Sequence, residues 1–143
     1  VCAPEISKTL GSIADLEHHT ILRDALQNVG SPPSWEFWAE EAGFNLPQLP
    51  LSRQFGQANM VIQAAIQGLG VAMGRGPLVA DAIAQGLLVC PFENVVASQF
   101  SYWLVCRHDA LKSQKVRLFC EWLHEQTAAQ DAESLRGNTV PTH

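Results

Sequence analysis

The chain has 143 residues, 47% of them apolar and 16% charged, against a usual charged share of about 25%. That composition excludes chain-wide disorder, and a chain of this length buries enough surface to fold without a disulfide or metal staple. Nine Lys and Arg against fourteen Asp and Glu give a formal net charge of -5, whereas a protein that grips DNA by its phosphates presents a basic face, so this segment alone is not expected to bind nucleic acid.

Val1-Cys2-Ala3 is apolar and stops at Pro4, which predicts the end of a strand. The chain opens there in mid-pattern, as if continuing a longer sequence. Ser12 with Asp15 three residues on is a capping-box signature and predicts a short helix through Leu16. His19-Thr20-Ile21-Leu22 is β-branched and apolar and predicts a strand. Gly30-Ser31-Pro32-Pro33 predicts a loop, and Ser34 an N-cap for a helix over Trp35 to Ala42. Asn45 to Ser52, with two prolines, reads as extended loop, and Arg53 to Gly56 as a brief strand. Asn59 to Gln67 carries Val61, Ile62, Ala65 and Ile66 on the broad stripe of a helix packed on a sheet.

Leu69 to Met73 is a short apolar run between glycines and predicts a buried strand. Gly76-Pro77 opens a helix to Gln85, with proline where its missing N–H costs nothing, and Leu87 to Cys90 predicts the next strand. Gly43, Gly68 and Gly86 fall where helices end in a left-handed residue. Phe100 to Arg107, aromatic and β-branched, predicts a closing strand. Ser113 then caps a helix with Val116, Phe119, Cys120 and Leu123 on its apolar side, and the polar composition after Gln130 predicts a frayed tail over 129–143. Strands alternating with helices predict an α/β fold with a mixed, mainly parallel sheet. Ligands in such folds sit at the carboxyl ends of strands, near helix N-termini. The junctions Arg23 to Gln27, Gly56 to Asn59 and Gly74 to Gly76 are therefore the places for a site.

Most candidate chemistry has a plainer explanation. Gly68-Leu69-Gly70-Val71-Ala72-Met73-Gly74 follows a helix and opens a strand, the reverse of a phosphate-cradling loop, so its glycines are turn and cap residues. Cys106 and His108 lack a third group to orient a base. The five histidines show no metal-ligand spacing, and Glu40-Glu41 make an exposed helix face. Cys2, Cys90, Cys106 and Cys120 lack CxxC spacing and lie among apolar residues, which predicts buried free thiols of a reducing cytosol. No catalytic residue, metal or cofactor is expected. No run reaches the roughly 18 to 20 apolar residues of a membrane span, and no secretory leader is visible. Trp35, Trp38 and Trp122 predict core or interface anchors, while Tyr102 and Trp103 alternate on the closing strand so that one can face a cleft.

The stretch from Phe55 through Ala64-Ala65 and Gly68-Leu69-Gly70-Val71-Ala72 to Arg75 resembles the effector-binding domain of LysR-type transcriptional regulators. The branch it resembles holds the glycine-cleavage activator and the β-lactamase regulator. Gly86-Leu87-Leu88-Val89-Cys90-Pro91-Phe92, the Trp35-x-x-Trp38 helix, Tyr102 to Val105 and Phe119 to Leu123 fit the same pattern, so the resemblance covers residues 1 to about 128. It implies a periplasmic-binding-protein-like (type 2) fold of two α/β lobes with a small effector between them. About 4–95 would form an incomplete second lobe, and about 100–128 the closing strand and helix of the first. It further implies a cytoplasmic dimer or tetramer that meets DNA only through a DNA-binding domain absent from this chain. A solute-binding protein of transport type with the same architecture is the alternative. Carried onto this sequence, the effector-binding residues would be Arg23, Asp24, Gln57, Ala58, Asn59, Arg75 and Tyr102. The branch often has hydroxyl residues at the helix start where this chain has Gln57 and Ala58. Plainer roles stay open for four of the seven: Arg23 and Asp24 paired with each other, Gln57 as a cap, and Arg75 solvated.

Overall fold

The structure is a computed structural model that describes residues 1–25, 34–98, 102–107 and 109–136, the last eight as backbone. It divides into two compact units, Val1–Phe100 and Ser101–His143.

The first unit is built on β1 (Ile21–Asp24), which pairs in parallel with β2 (Ser52–Phe55) on one side and β3 (Val71–Ala72) on the other. Successive strand side chains point to opposite faces, and β1 and β3 use this fully. Ile21 and Val71 face one apolar cluster with Leu16, Trp35 and Trp38; Leu22 and Ala72 face another with Val61, Ile62, Ala65, Val79 and Leu88. The first cluster is closed by α2 (Trp35–Ala42) and a 3-10 turn over Ile13–His18, the second by α3 (Ala58–Ile66) and α4 (Gly76–Ala84). Both faces are covered, as a parallel sheet requires.

Several sequence signals act as expected. The Ser34 hydroxyl accepts from the Phe37 N–H at 3.0 Å and caps α2. The Asp15 carboxylate accepts from the Ser12 N–H at 2.7 Å, completing the capping box, although the turn it opens is 3-10 rather than α. Gly43, Gly68 and Gly86 end their helices with φ of 74°, 72° and 71°. Gly70 serves a different need: a Cβ there would lie 2.1 Å from the Thr20 carbonyl oxygen, the same oxygen that accepts the first β3 hydrogen bond from Val71.

The strands are where expectation and structure differ. The predicted strand His19–Leu22 lies two residues later, because the polar pair Arg23-Asp24 continues the ladder. Val1–Ala3 and Leu87–Cys90 give no strand: α1 (Pro4–Ser7) begins at once, and Cys2 and Val89 make a single antiparallel bridge. Pro4 and Pro91 each remove a donor that a longer ladder would need. The predicted Gly30–Pro33 loop lies outside the described residues. Of the four cysteines, all free, only Cys2 is buried; Cys90 and Cys106 are exposed and Cys120 intermediate, so apolar neighbours in sequence do not decide which way a thiol faces.

In the second unit, 102–107 forms no strand, and Tyr102, Trp103 and Val105 are exposed by 76%, 84% and 87%. A strand needs a neighbour to complete its ladder, and none pairs with this segment among the described residues. A 3-10 turn over Ala110–Lys112 leads to α5 (Gln114–Arg136). The helix continues past the composition change at Gln130, where Ala132, Glu133, Leu135 and Arg136 are good helix formers.

Candidate functional site

A hollow opens in the first unit where β1 and β3 end and α3 and α4 begin. Asp24 closes β1, Arg75 is the N-cap of α4, and Ala58 is the first residue of α3; all three line it, with Val61 and Ile62 as an apolar floor and Met73 and Leu78 at the side. Its volume is about 10 Å³, the room of roughly one water. So small a hollow is one wall of a site; it cannot enclose a ligand.

Asp24 and Arg75 give it its electrostatics. The Arg75 Nη2 donates to Asp24 Oδ2 at 2.7 Å, with the Asp24 side chain 3% and the Arg75 side chain 28% exposed. Asp24 is the buried charged residue of the described core, and a buried carboxylate is tolerated only when paired. The guanidinium that pairs with it also reaches the hollow and so shows solvent the outer part of a fixed ion pair. α3 contributes a different polarity. Its N-cap Gln57 makes no side-chain cap, and although the Met60 N–H is taken by Asn59 Oδ1, the N–H groups of Ala58 and Asn59 keep the partial positive charge of a helix start.

Arg23 is adjacent to Asp24 in sequence and opposite to it in space. Strand alternation turns it to the face of α2, where its Nη2 meets Glu36 Oε1 at 3.4 Å. Burial pushes the Glu36 carboxyl up, but its own backbone N–H, the Arg23 guanidinium and the Ser34 hydroxyl outweigh this and hold it below the usual carboxylate range. The two pairs therefore cross over the plainer expectations: Arg23 does not pair with Asp24, Arg75 is not merely solvated, and Gln57 does not cap. Of the seven residues expected from the sequence, Asp24, Ala58 and Arg75 come together on the hollow. Gln57 and Asn59 flank Ala58 at the exposed helix start, and the Asn59 Oδ1 accepts from the Met60 N–H at 3.0 Å. Arg23 lies on the other sheet face, and Tyr102 belongs to the second unit, where it is exposed. Sequence reasoning missed Met73 and Leu78, both apolar residues flanking the Gly74–Gly76 junction that it had singled out.

Comparison with known proteins decides the family. Residues 1–128 match the LysR substrate binding domain. The chain belongs to that family. It is 33% identical over 133 residues to the glycine cleavage system transcriptional activator of Escherichia coli K12, and 32% identical over 133 residues to the activator AmpR of Pseudomonas aeruginosa. Each match covers 91% of this chain and 42% of the relative, so this LysR-family chain spans well under half of those regulators. The solved effector domain of AmpR from Pseudomonas aeruginosa superposes with a TM-score of 0.73 at 31% identity, over 94% of this chain and 63% of that one. The fold is thus the periplasmic-binding-protein-like (type 2) one. The AmpR effector binding domain of Citrobacter freundii, at 22% identity and a TM-score of 0.54 over 64% of this chain, shares that fold. These relatives are transcriptional regulators, neither enzymes nor transport proteins. Among the described residues no helix is long and apolar enough to cross a membrane, and no cluster of His, Cys, Asp and Glu could hold a metal ion.

Proposed function

We propose that this LysR-family chain is the effector-sensing part of a transcriptional regulator: it binds a small molecule in a crevice between two lobes and passes the event on by rearranging an oligomer. The supporting observation is the hollow at the strand ends, with the buried Asp24–Arg75 pair and the start of α3 on its wall, in a domain that superposes on the AmpR effector domain. Asp24, Gln57, Ala58, Asn59 and Arg75 supply this lobe's wall, Arg23 stands behind it, and Tyr102 is a further effector-binding residue. Residues of about 4–95 form the second lobe, and about 100–128 the closing part of the first. The protein works in the cytoplasm as a dimer or tetramer, without catalysis or cofactor, and meets DNA through a domain outside this chain.

The mechanism is a population shift. An effector that prefers the closed crevice moves the equilibrium by as much as its affinity for the two states differs, and no more. That change of lobe angle repacks subunit contacts and re-aims the DNA-binding parts. The test is a thermal-shift screen with amino acids, small carboxylates and cell-wall fragments. A ligand at a hundred times its Kd stabilises the folded state by about 2.7 kcal/mol, readily seen as a rise in Tm. Arg75→Gln and Tyr102→Phe should each weaken that rise. A ligand whose shift survives both substitutions binds elsewhere, and the reading fails.

A further inference from the structure

The Asp24–Arg75 pair also bears on which ligands the hollow admits, an inference that rests on the effector reading above. A guanidinium carries several N–H donors in a planar fork. One of Arg75's goes to Asp24 Oδ2, and the side chain remains 28% exposed where it lines the hollow. A free arginine there would offer a full positive charge to any anion. This one offers direction without net charge, because the carboxylate behind it is 97% covered and cannot be screened by water.

We propose that Asp24 sets the charge limit of this hollow: by orienting and neutralising Arg75, it makes the lobe receive a singly charged acid group, a carboxylate or sulfonate, and turn away a doubly charged phosphate or phosphonate. Among the described residues, three groups set the electrostatics of this wall. Asp24 and Arg75 cancel, and the start of α3 adds about half a positive charge. A carboxylate bound to the outer donors of Arg75 leaves the group with only about half a negative charge. A dianion leaves an excess negative charge a few ångströms from a buried carboxylate, where repulsion is weakly screened. Asp24 is then a positioning residue that acts through Arg75.

The experiment compares propionate, ethanesulfonate and ethylphosphonate at alkaline pH, where the first two are monoanions and the third a dianion. Sulfonate and phosphonate share a tetrahedral shape, so charge is separated from geometry. Binding is read from the backbone amide resonances of Ala58 and Asn59. In the native chain propionate and ethanesulfonate should bind comparably, and ethylphosphonate about tenfold more weakly or worse. In Asp24→Asn the penalty on the phosphonate should shrink to about threefold or invert, as Arg75 recovers its full charge. Equal binding of phosphonate and propionate by the native chain overturns the proposal, and this measurement stands even if Asp24→Asn does not fold. An unchanged gap in a folded Asp24→Asn overturns it too. If propionamide or ethylamine moves these amides and the acids do not, the effector reading stands and the charge limit falls; if none of the five probes moves them, both fall.

Discussion

The same kind of amphipathic helix meets different fates in the two units. In the first, Trp35 and Trp38 on α2 are 2% and 9% exposed, stacked edge to face at 5.6 Å, and Trp38 Nε1 donates to the Asn94 carbonyl at 2.8 Å. In the second, Phe119 and Trp122 on α5 pair at 5.8 Å yet remain 51% and 52% exposed. Both helices carry an apolar side, but only the first has a sheet face in its own unit on which to lay it. Pattern chooses the face of a helix; burial needs a partner, and stability follows burial.

This contrast can be broken, starting with the largest effect. Gly70→Ala puts a methyl 2.1 Å from the Thr20 carbonyl at a φ of 158°, and should cost about 4 kcal/mol or abolish cooperative melting of the first unit. Next, Leu22→Ala empties a fully buried position on the α3 side of the sheet and should cost about 3 kcal/mol by chemical denaturation. Its counterpart, Trp122→Ala on α5, removes more atoms but should cost under about 0.5 kcal/mol; an equal loss at both positions would show that α5 is as well packed as the sheet. Ser34→Ala removes the α2 cap and should cost about 1 kcal/mol.

The smallest expected effect is on acid stability. Hydrogen bonds from the Ser12 backbone and hydroxyl hold the Asp15 carboxyl below its ordinary value, and Glu36 is also lowered. A carboxyl with a depressed folded pKa contributes stability above its unfolded pKa and loses it as pH falls through the folded one. Melting temperature should therefore decline below about pH 4, and Asp15→Asn should flatten the slope. Thiol labelling probes the same contrast without touching stability: burial raises the Cys2 thiol pKa, so iodoacetamide should modify Cys90 and Cys106 first, as mass spectrometry would show.

Local chemistry was legible where one residue decides one bond. The N-cap at Ser34, the capping box at Ser12 and the left-handed glycines each predict an element end within a residue or two. Strand ends were not, because β1 carries Arg23 and Asp24, whose polarity argues against a strand until their partners Glu36 and Arg75 are known. The Asp24–Arg75 pair joins residues 51 positions apart, and no periodicity links them. The crossing of the two ion pairs was nonetheless implicit in strand alternation, since neighbours in a strand cannot share a face. For 102–107, composition reports a wish for a sheet neighbour and is silent on whether one is there.

The bridge between Cys2 and Val89 lays the start of the first unit beside the segment that leads into its last residues, with backbone hydrogen bonds of 3.1 and 2.9 Å joining them. A glycine linker from the last residues of the unit back to Val1 should turn the lobe into a ring. New ends cut into the irregular stretch between Asn45 and Pro50, where no ladder would be interrupted, should give a circular permutant with the sheet intact.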